Sequence, residues 1–500
     1  MITFRTSSVF TLVASLGLTL GCVNEDHLVP VSSSSTSAAR AGAALADGAV
    51  RFNRGQYIIV GNTNLPADLD QQVTNAKGKL TAVLSDVGIA TVTSTDPDFA
   101  AKASKIAGVR SVIPDFTAQW FDPTQKQIEF DPAFANPPKS GDNDRYFDLQ
   151  WGHDAIDAPE AWNAGYRGKG VRVAVLDSGF DLDHPDLAPN IDLGASKNFV
   201  TGEVLQYAPN NTFSHGTHTA GTVAAADNGI GVIGVAPEAK LILVKVLRDS
   251  GSGSFSWMLS GIVHAVNQGA DVISMSLGAG IPRNGKFIDD NGTPDDASDD
   301  FVVSDTKAVQ ELIVAINKVT TYAYQQGTTL IAAAGNDAIN GNKDQSLVQI
   351  PADAPHVLSI SATTPIGWAK NPTTTFLDNL ASYSNYGTSE IDFAAPGGDT
   401  QYPGNELATI GGIRQYVYVF DLVFSTGNNG YYWSAGTSMA TPHAAGVAAL
   451  VIGKNGGQLD PAKVESALRA SADDLGKPGR DPAYGHGRVN AFKAVSSTNL

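Results

Sequence analysis

The sequence predicts an α/β protein, a doubly wound and mostly parallel sheet preceded by a small α+β unit. Three observations predict it. The runs "VRVAVLDSG" (171–179), "AKLILVKVL" (239–247), "ADVISMSLG" (270–278) and "TTLIAAAGN" (328–336) are nearly continuously apolar. Strands buried on both faces of a parallel sheet read this way. Helical patterns separate them, as in "FSWMLSGIVHAVNQG" (255–269) and "DTKAVQELIVAINKVTTYAYQQG" (305–327), and that alternation builds crossover units. Ahead of them lies a shorter set of mixed patterns that ends before a Pro-, Asp- and Asn-rich stretch.

Taken in order, "MITFRTSSVFTLVASLGLTLGC" has an N-region with Arg5 and an apolar stretch too short to cross a bilayer, which reads as a secretion signal over 1–22. The Ser- and Ala-rich residues 23–51 read as a flexible tether. Within 52–120, "QYIIVG" predicts a strand, 68–86 a helix, "IATVTST" a strand, "PDFAAKASKIAG" a short helix and "VRSVIPD" a last strand. Residues 121–143 read as a linker and 144–500 as the main domain. Later segments hold no apolar run of spanning length. The chain has 33 Lys and Arg against 50 Asp and Glu, a net charge of −17. That balance disfavours a nucleic-acid partner, which calls for a basic face. Cys22 is the only cysteine, so no internal disulfide forms.

In a doubly wound sheet, chemistry gathers at the carboxyl ends of the strands. Asp177, Ser276 and Asn336 fall there. "NTFSHGTHTAGTVAAA" (211–226) carries His215 and His218 into an Ala- and Gly-rich helix, and "SAGTSMATPHAAG" (434–446) places Ser438 at the start of another. A serine becomes a nucleophile only with a base and a group that orients the base. The chain order Asp, His, Ser is one of three unrelated orders that build the same triad. A metal pair at His215 and His218 lacks the Glu and the third ligand that a zinc peptidase needs. His443 reads as a packing or hydrogen-bonding residue.

The blocks "VAVLDSGFDLDHPDL", "SHGTHTAGTVAA", "GTSMATPHAAGVAAL" and "AAAGND" resemble those of the subtilisin-like serine peptidases, over about residues 144–494. The resemblance implies a subtilisin-like fold and a serine endopeptidase in which Asp177 orients the base, His215 is the base, Ser438 is the nucleophile and Asn336 donates to the oxyanion. The choice of His215 over His218 rests on the family pattern. The resemblance makes 52–120 similar to an inhibitor-like propeptide, a zymogen's own intramolecular inhibitor, with cleavage between Asp122 and Asp144. It implies that Ser252, Gly253 and Ser254, and Ser276, Leu277 and Gly278, bind substrate backbone as added strands. Asp337 would stand at the rim of the primary side-chain pocket and Gln349 near its floor, giving a broad enzyme that accepts Leu, Met, Lys or Arg.

"ADNGIGV" resembles the family's calcium loop, with ligands from Asn228, the carbonyls of Ala226, Ile230 and Val232, and the carboxylates of Asp186 and Asp144. The acidic insertion 287–301, with six aspartates, reads as a solvated loop, with a second calcium site as the alternative. "LTLGC" resembles a lipoprotein signal with Cys22 as the lipidated residue, although Thr19 stands where an aliphatic residue is usual. The expectation is therefore an exported monomer, extracellular or attached to the cell envelope, acting on proteins or peptides. An inactive scaffold and a different acyl-transfer enzyme are the rival readings. The absence of Gly-x-Ser-x-Gly around Ser438 argues against an ordinary α/β-hydrolase.

Overall fold

The computed structural model describes residues 50–121, 142–209, 212–289 and 301–497. The signal, Cys22 and most of both the linker and the acidic insertion lie outside them.

The N-terminal unit holds strands β1 (Val50–Gly61), β2 (Lys79–Leu84), β3 (Ile89–Thr93) and β4 (Val109–Gln119), with helices α1 (Leu69–Asn75) and α2 (Phe99–Ala103). The strand order is β2-β3-β1-β4, all antiparallel. The helices cover one face, where Ile59, Val73, Val92 and Phe99 form a small core. The first strand starts at Val50, two residues before the expected boundary. The single helix expected over 68–86 is corrected to α1 followed by β2. Gly78 leaves no room for a side chain, because a Cβ there would sit 2.4 Å from the Phe99 ring. Beyond it, Lys79–Leu84 alternates exposed and half-buried residues, the pattern of an edge strand.

The main domain carries β5 (Arg172–Asp177), β6 (Lys197–Asn198), α3 (His215–Ala224), β7 (Lys240–Lys245), β8 (Ser252–Ser254), α4 (Phe255–Asn267), β9 (Val272–Met275), β10 (Ala279–Pro282), β11 (Lys286–Asp289), β12 (Phe301–Ser304), α5 (Thr306–Gln325), β13 (Thr329–Ala333), β14 (Leu347–Ile350), β15 (Val357–Thr364), β16 (Asn379–Leu380), β17 (Phe393–Pro396) and α6 (Thr437–Lys454). The central sheet runs β16-β15-β13-β9-β5-β7-β6, with β17 also on β15. Every pair is parallel except β15 with β16.

Strand period sets the two cores. Ala174 and Leu176 of β5 face α4 and α5, with Phe255, Ile262, Leu312 and Val319. Val173 and Val175 face α3 and α6, with Val223, Ala444 and Leu450. Residues 437–452 of α6 are buried all round, as an Ala- and Gly-rich helix apolar on every side should be. The fold is the expected doubly wound sheet. β8 leaves the central sheet and pairs antiparallel with β4, so the N-terminal unit and the main domain share a five-stranded sheet.

Candidate active site

Asp177 closes the central strand β5 and is fully buried. His215 opens α3, where Ser214 caps the helix by accepting from the Thr217 N–H. The two side chains meet: His215 Nδ1 lies 2.8 Å from Asp177 Oδ1 and 3.0 Å from Oδ2. The Ser178 N–H donates to Oδ1 at 2.6 Å and the Thr219 hydroxyl to Oδ2 at 3.0 Å. A carboxylate held in this way fixes the imidazole tautomer, with the proton on Nδ1 and the Nε2 lone pair outward.

Ser438 is the second residue of α6 and is 3% exposed. Its hydroxyl donates to the Ser276 carbonyl at 3.1 Å, and the Ser276 hydroxyl returns a bond to the Ser438 carbonyl at 2.8 Å. His215 Nε2 is buried and has no hydrogen-bond partner among the described residues. The ring of Phe121 lies flat on the imidazole, centroids 4.0 Å apart and planes within 8°. Phe213 meets the same imidazole edge-on.

Asn336 follows β13. Its Oδ1 accepts from the Thr437 N–H at 2.9 Å and the Thr437 hydroxyl at 2.8 Å. A backbone N–H only donates, so that bond fixes the amide and turns Nδ2 away from Thr437. The Ser438 N–H belongs to the first turn of α6 and has no intrahelical acceptor. Two donors are thus available beside the serine for an oxygen that gains negative charge.

His218 is set apart from this chemistry. Its Nε2 lies 3.2 Å from the Val423 carbonyl and 3.1 Å from the Tyr432 carbonyl, and burial pushes its pKa down to about 3. It ties α3 to the hairpin Val423–Gly427/Gly430–Ser434. His443, lowered to about 4 by burial, contacts the Met439 carbonyl through Nδ1 at 2.8 Å and packs inside the domain.

Of the predicted backbone-binding residues, Ser276 meets Ser438, and Ser252–Ser254 lie against the N-terminal unit. Ser252, Gly253 and Ser254 form β8, paired with Gln119, Ala118 and Thr117. Beyond that pairing, the Trp120 N–H donates to the Gly251 carbonyl at 3.1 Å and Trp120 Nε1 to the Gly253 carbonyl at 2.8 Å. Ser276 and Leu277 are buried after β9, and Gly278 leads into β10. Asp337 is exposed, with its N–H on Asn385 Oδ1 at 3.1 Å. Gln349 pairs with Gly280, and its buried Nε2 has no hydrogen-bond partner among the described residues.

Sequence reasoning missed Asp115. This β4 residue is fully buried and accepts from Ser256 N (3.2 Å) and Ser256 Oγ (2.6 Å) at the start of α4, so a carboxylate of one unit caps a helix of the other. It also missed Thr437 and Thr219, which touch Asn336 and Asp177.

Of the predicted calcium residues, Asp144, Asp186 and Asn228 meet, and the loop turns backbone N–H groups towards the carboxylates. Asn228 donates from N to Asp144 Oδ1 and from Nδ2 to Asp186 Oδ1, both at 3.3 Å, and its Oδ1 accepts from Ile230 N at 3.0 Å. Asp186 accepts from Val232 N at 2.9 Å, and its carbonyl from Ala226 N at 2.8 Å. Burial pushes Asp186 up to about 6, and burial together with Asp142 pushes Asp144 up to about 8. Gly231 holds φ +60, and a Cβ there would fall 2.0 Å from Asp186 Oδ2. Asp142, Asp144 and Asp227 also gather oxygens within 4.8 Å of one another, although Arg167 pairs with Asp227. Crowded, partly desolvated carboxylates suit a hard divalent cation.

A buried Asp–His pair at the start of α3, and a serine at the start of α6, which packs against α3, are the side chains that serine hydrolases use. Comparison with known proteins gives the family. The model of the Subtilase family matches residues 168–487. Subtilisin E of Bacillus subtilis (strain 168) is 35% identical over 371 residues, 74% of this chain and 77% of that one. Subtilisin of Bacillus pumilus is 36% identical over 347 residues, 69% of this chain and 98% of that one. The epidermin leader peptide processing serine protease of Staphylococcus aureus has the same fold, with a TM-score of 0.67 at 24% identity, covering 89% of this chain and 98% of its own. The chain belongs to the subtilase family.

Proposed function

We propose that the protein is an exported endopeptidase of broad specificity, made as a zymogen, whose N-terminal unit is its own inhibitor. The observation that carries this reading is the run 117–121. It lies as an added strand on β8 and ends with Phe121 on the imidazole of His215. A substrate chain takes the same edge by strand addition. With Phe121 and its strand gone, substrate can take their place, and the in-plane lone pair of His215 Nε2 takes the Ser438 proton as the hydroxyl oxygen attacks the scissile carbonyl carbon. Asp177 holds the imidazole and stabilises the imidazolium, without taking the proton. Asn336 Nδ2 and the Ser438 N–H receive the oxyanion. The imidazolium then returns the proton to the leaving amine, and water releases the acyl group by the same route in reverse.

Asp337 and Gln349 tune the pocket towards Leu, Met, Lys or Arg. Asp144, Asp186, Asn228 and the carbonyls of Ala226, Ile230 and Val232 hold a structural calcium ion, with Asp142 and Asp227 beside them. Such an ion supplies stability and takes no part in the chemistry. Residues 1–22 direct export, and a lipid on Cys22 tethers the zymogen to the envelope until cleavage frees the peptidase domain.

The deciding experiment compares wild type with Ser438→Ala for fluorophosphonate labelling, casein hydrolysis and loss of the N-terminal unit. Wild type does all three and the variant none. Casein hydrolysis by the alanine variant refutes the assignment.

A further inference from the structure

We infer that Thr219 is a positioning residue that sets the basicity of His215 through Asp177, an inference that rests on the triad reading above. Thr219 lies one turn after His215 on α3, on the same face, and is fully buried. Its Oγ1 is 3.0 Å from Asp177 Oδ2 and 3.1 Å from the Gly216 carbonyl. One hydroxyl has one proton to give, and an ionised carboxylate is the stronger acceptor. The proton therefore goes to Asp177.

Each carboxylate oxygen then has two donors. Oδ1 takes the Ser178 N–H and His215 Nδ1, and Oδ2 takes the Thr219 hydroxyl and His215 Nδ1. Without the hydroxyl, Oδ2 keeps the imidazole alone. That has two effects. Charge drawn onto Oδ2 by the hydroxyl is charge the imidazolium no longer sees, so the bond lowers the pH at which His215 protonates. The bond also fixes the plane of the carboxylate, and with it the direction of Nε2.

The other charged or titratable groups around the pair are few. His218 and His443 are held neutral by burial. On β7, the buried ammonium of Lys245, level with Asp177 in the sheet, is paired with Glu203 and Asp249. Asp181, on the loop after β5, accepts from Asn429. Among the described residues, the N-terminal unit lays the uncharged Phe121 ring on His215. Among the described residues, Thr219 is thus the side chain, apart from His215 itself, whose bond to Asp177 can be removed without removing a charge.

The test uses enzyme purified from the full-length chain, as wild type, Thr219→Val, which keeps the shape, and Thr219→Ser, which keeps the donor. Removal of the donor should raise the acid limb of the kcat/KM pH profile by roughly half to one unit and lower the plateau kcat about three- to tenfold. KM should hold, and Thr219→Ser should restore both quantities. Thr219→Ala serves the same purpose if the valine does not fold. An unshifted acid limb in a folded variant that still labels with fluorophosphonate overturns the inference while leaving the triad intact. So does a shift that Thr219→Ser fails to reverse. Loss of labelling in wild type would instead remove the triad reading.

Discussion

Asp115 makes attachment of the N-terminal unit depend on pH. Its carboxyl is buried where the two units meet, and burial pushes it from 3.8 to about 6 against the pull of Ser256 and the Phe116 N–H. When the units separate it returns to water and to its ordinary value. The docked state therefore holds the proton more tightly. Its stabilisation is complete below pH 3.8 and is lost as pH rises through 6. A difference of about two units corresponds to about 3 kcal/mol, or roughly 10²-fold in the docking equilibrium. Asp115→Asn keeps an acceptor for Ser256 and removes the titration. The assay is amide hydrogen exchange on the full chain carrying Ser438→Ala, corrected for the intrinsic pH dependence of exchange. Its probe is the Trp120 N–H, which is bonded to Gly251 only while the units are docked. Protection should fall by roughly 10² between pH 4 and 7 in the Asp115 chain and stay nearly level in Asp115→Asn. Equal slopes in the two chains refute the reasoning.

Three further outcomes are expected. Asn336→Ala should lower kcat by about 10²–10³-fold with little change in KM, the cost already known for the oxyanion-hole asparagine of subtilisin; steady-state kinetics on a peptide substrate checks it. Chelator should lower the thermal midpoint by roughly 5–10 °C and added calcium should restore it, because an ion held only by the folded state stabilises it; superimposed melting curves at low and high calcium speak against the site. Asp337→Asn should reduce cleavage after Lys and Arg by only a few-fold, since an exposed charge pair contributes about 0–1 kcal/mol; peptide-library profiling reads this directly, and an unchanged basic component places the carboxylate elsewhere.

Features that depend on local pattern were legible in the sequence. β5, β7, β9 and β13 are largely apolar through their middles because both faces are covered, and each was visible as a nearly continuous run. The residues that close the site, Asp177, His215 and Ser438, were visible through their order and neighbours. β2 was hidden because a strand with one half-buried face can imitate helical spacing over a few residues. Asp115 and Phe121 were hidden for another reason: each acts across an interface, on partners 141 and 94 residues away in the chain. Thr219 and Thr437 looked like spacers within family blocks, and only distances of about 3 Å gave them work.

The shared strand has a consequence for molecules that meet one another. The peptide groups of Ser252–Ser254 find neighbours in Thr117–Gln119, and under the proposed removal of that segment they would stand open at a sheet edge. What such an edge recognises is an extended backbone, whatever its side chains. A folded copy of this chain offers few extended stretches, whereas a copy that opens offers many. In a concentrated population each molecule is therefore culled by its neighbours in proportion to the time it spends open. Lifetime among its own kind becomes a measure of folding stability, and any change that loosens the core shortens it even where the active site is untouched.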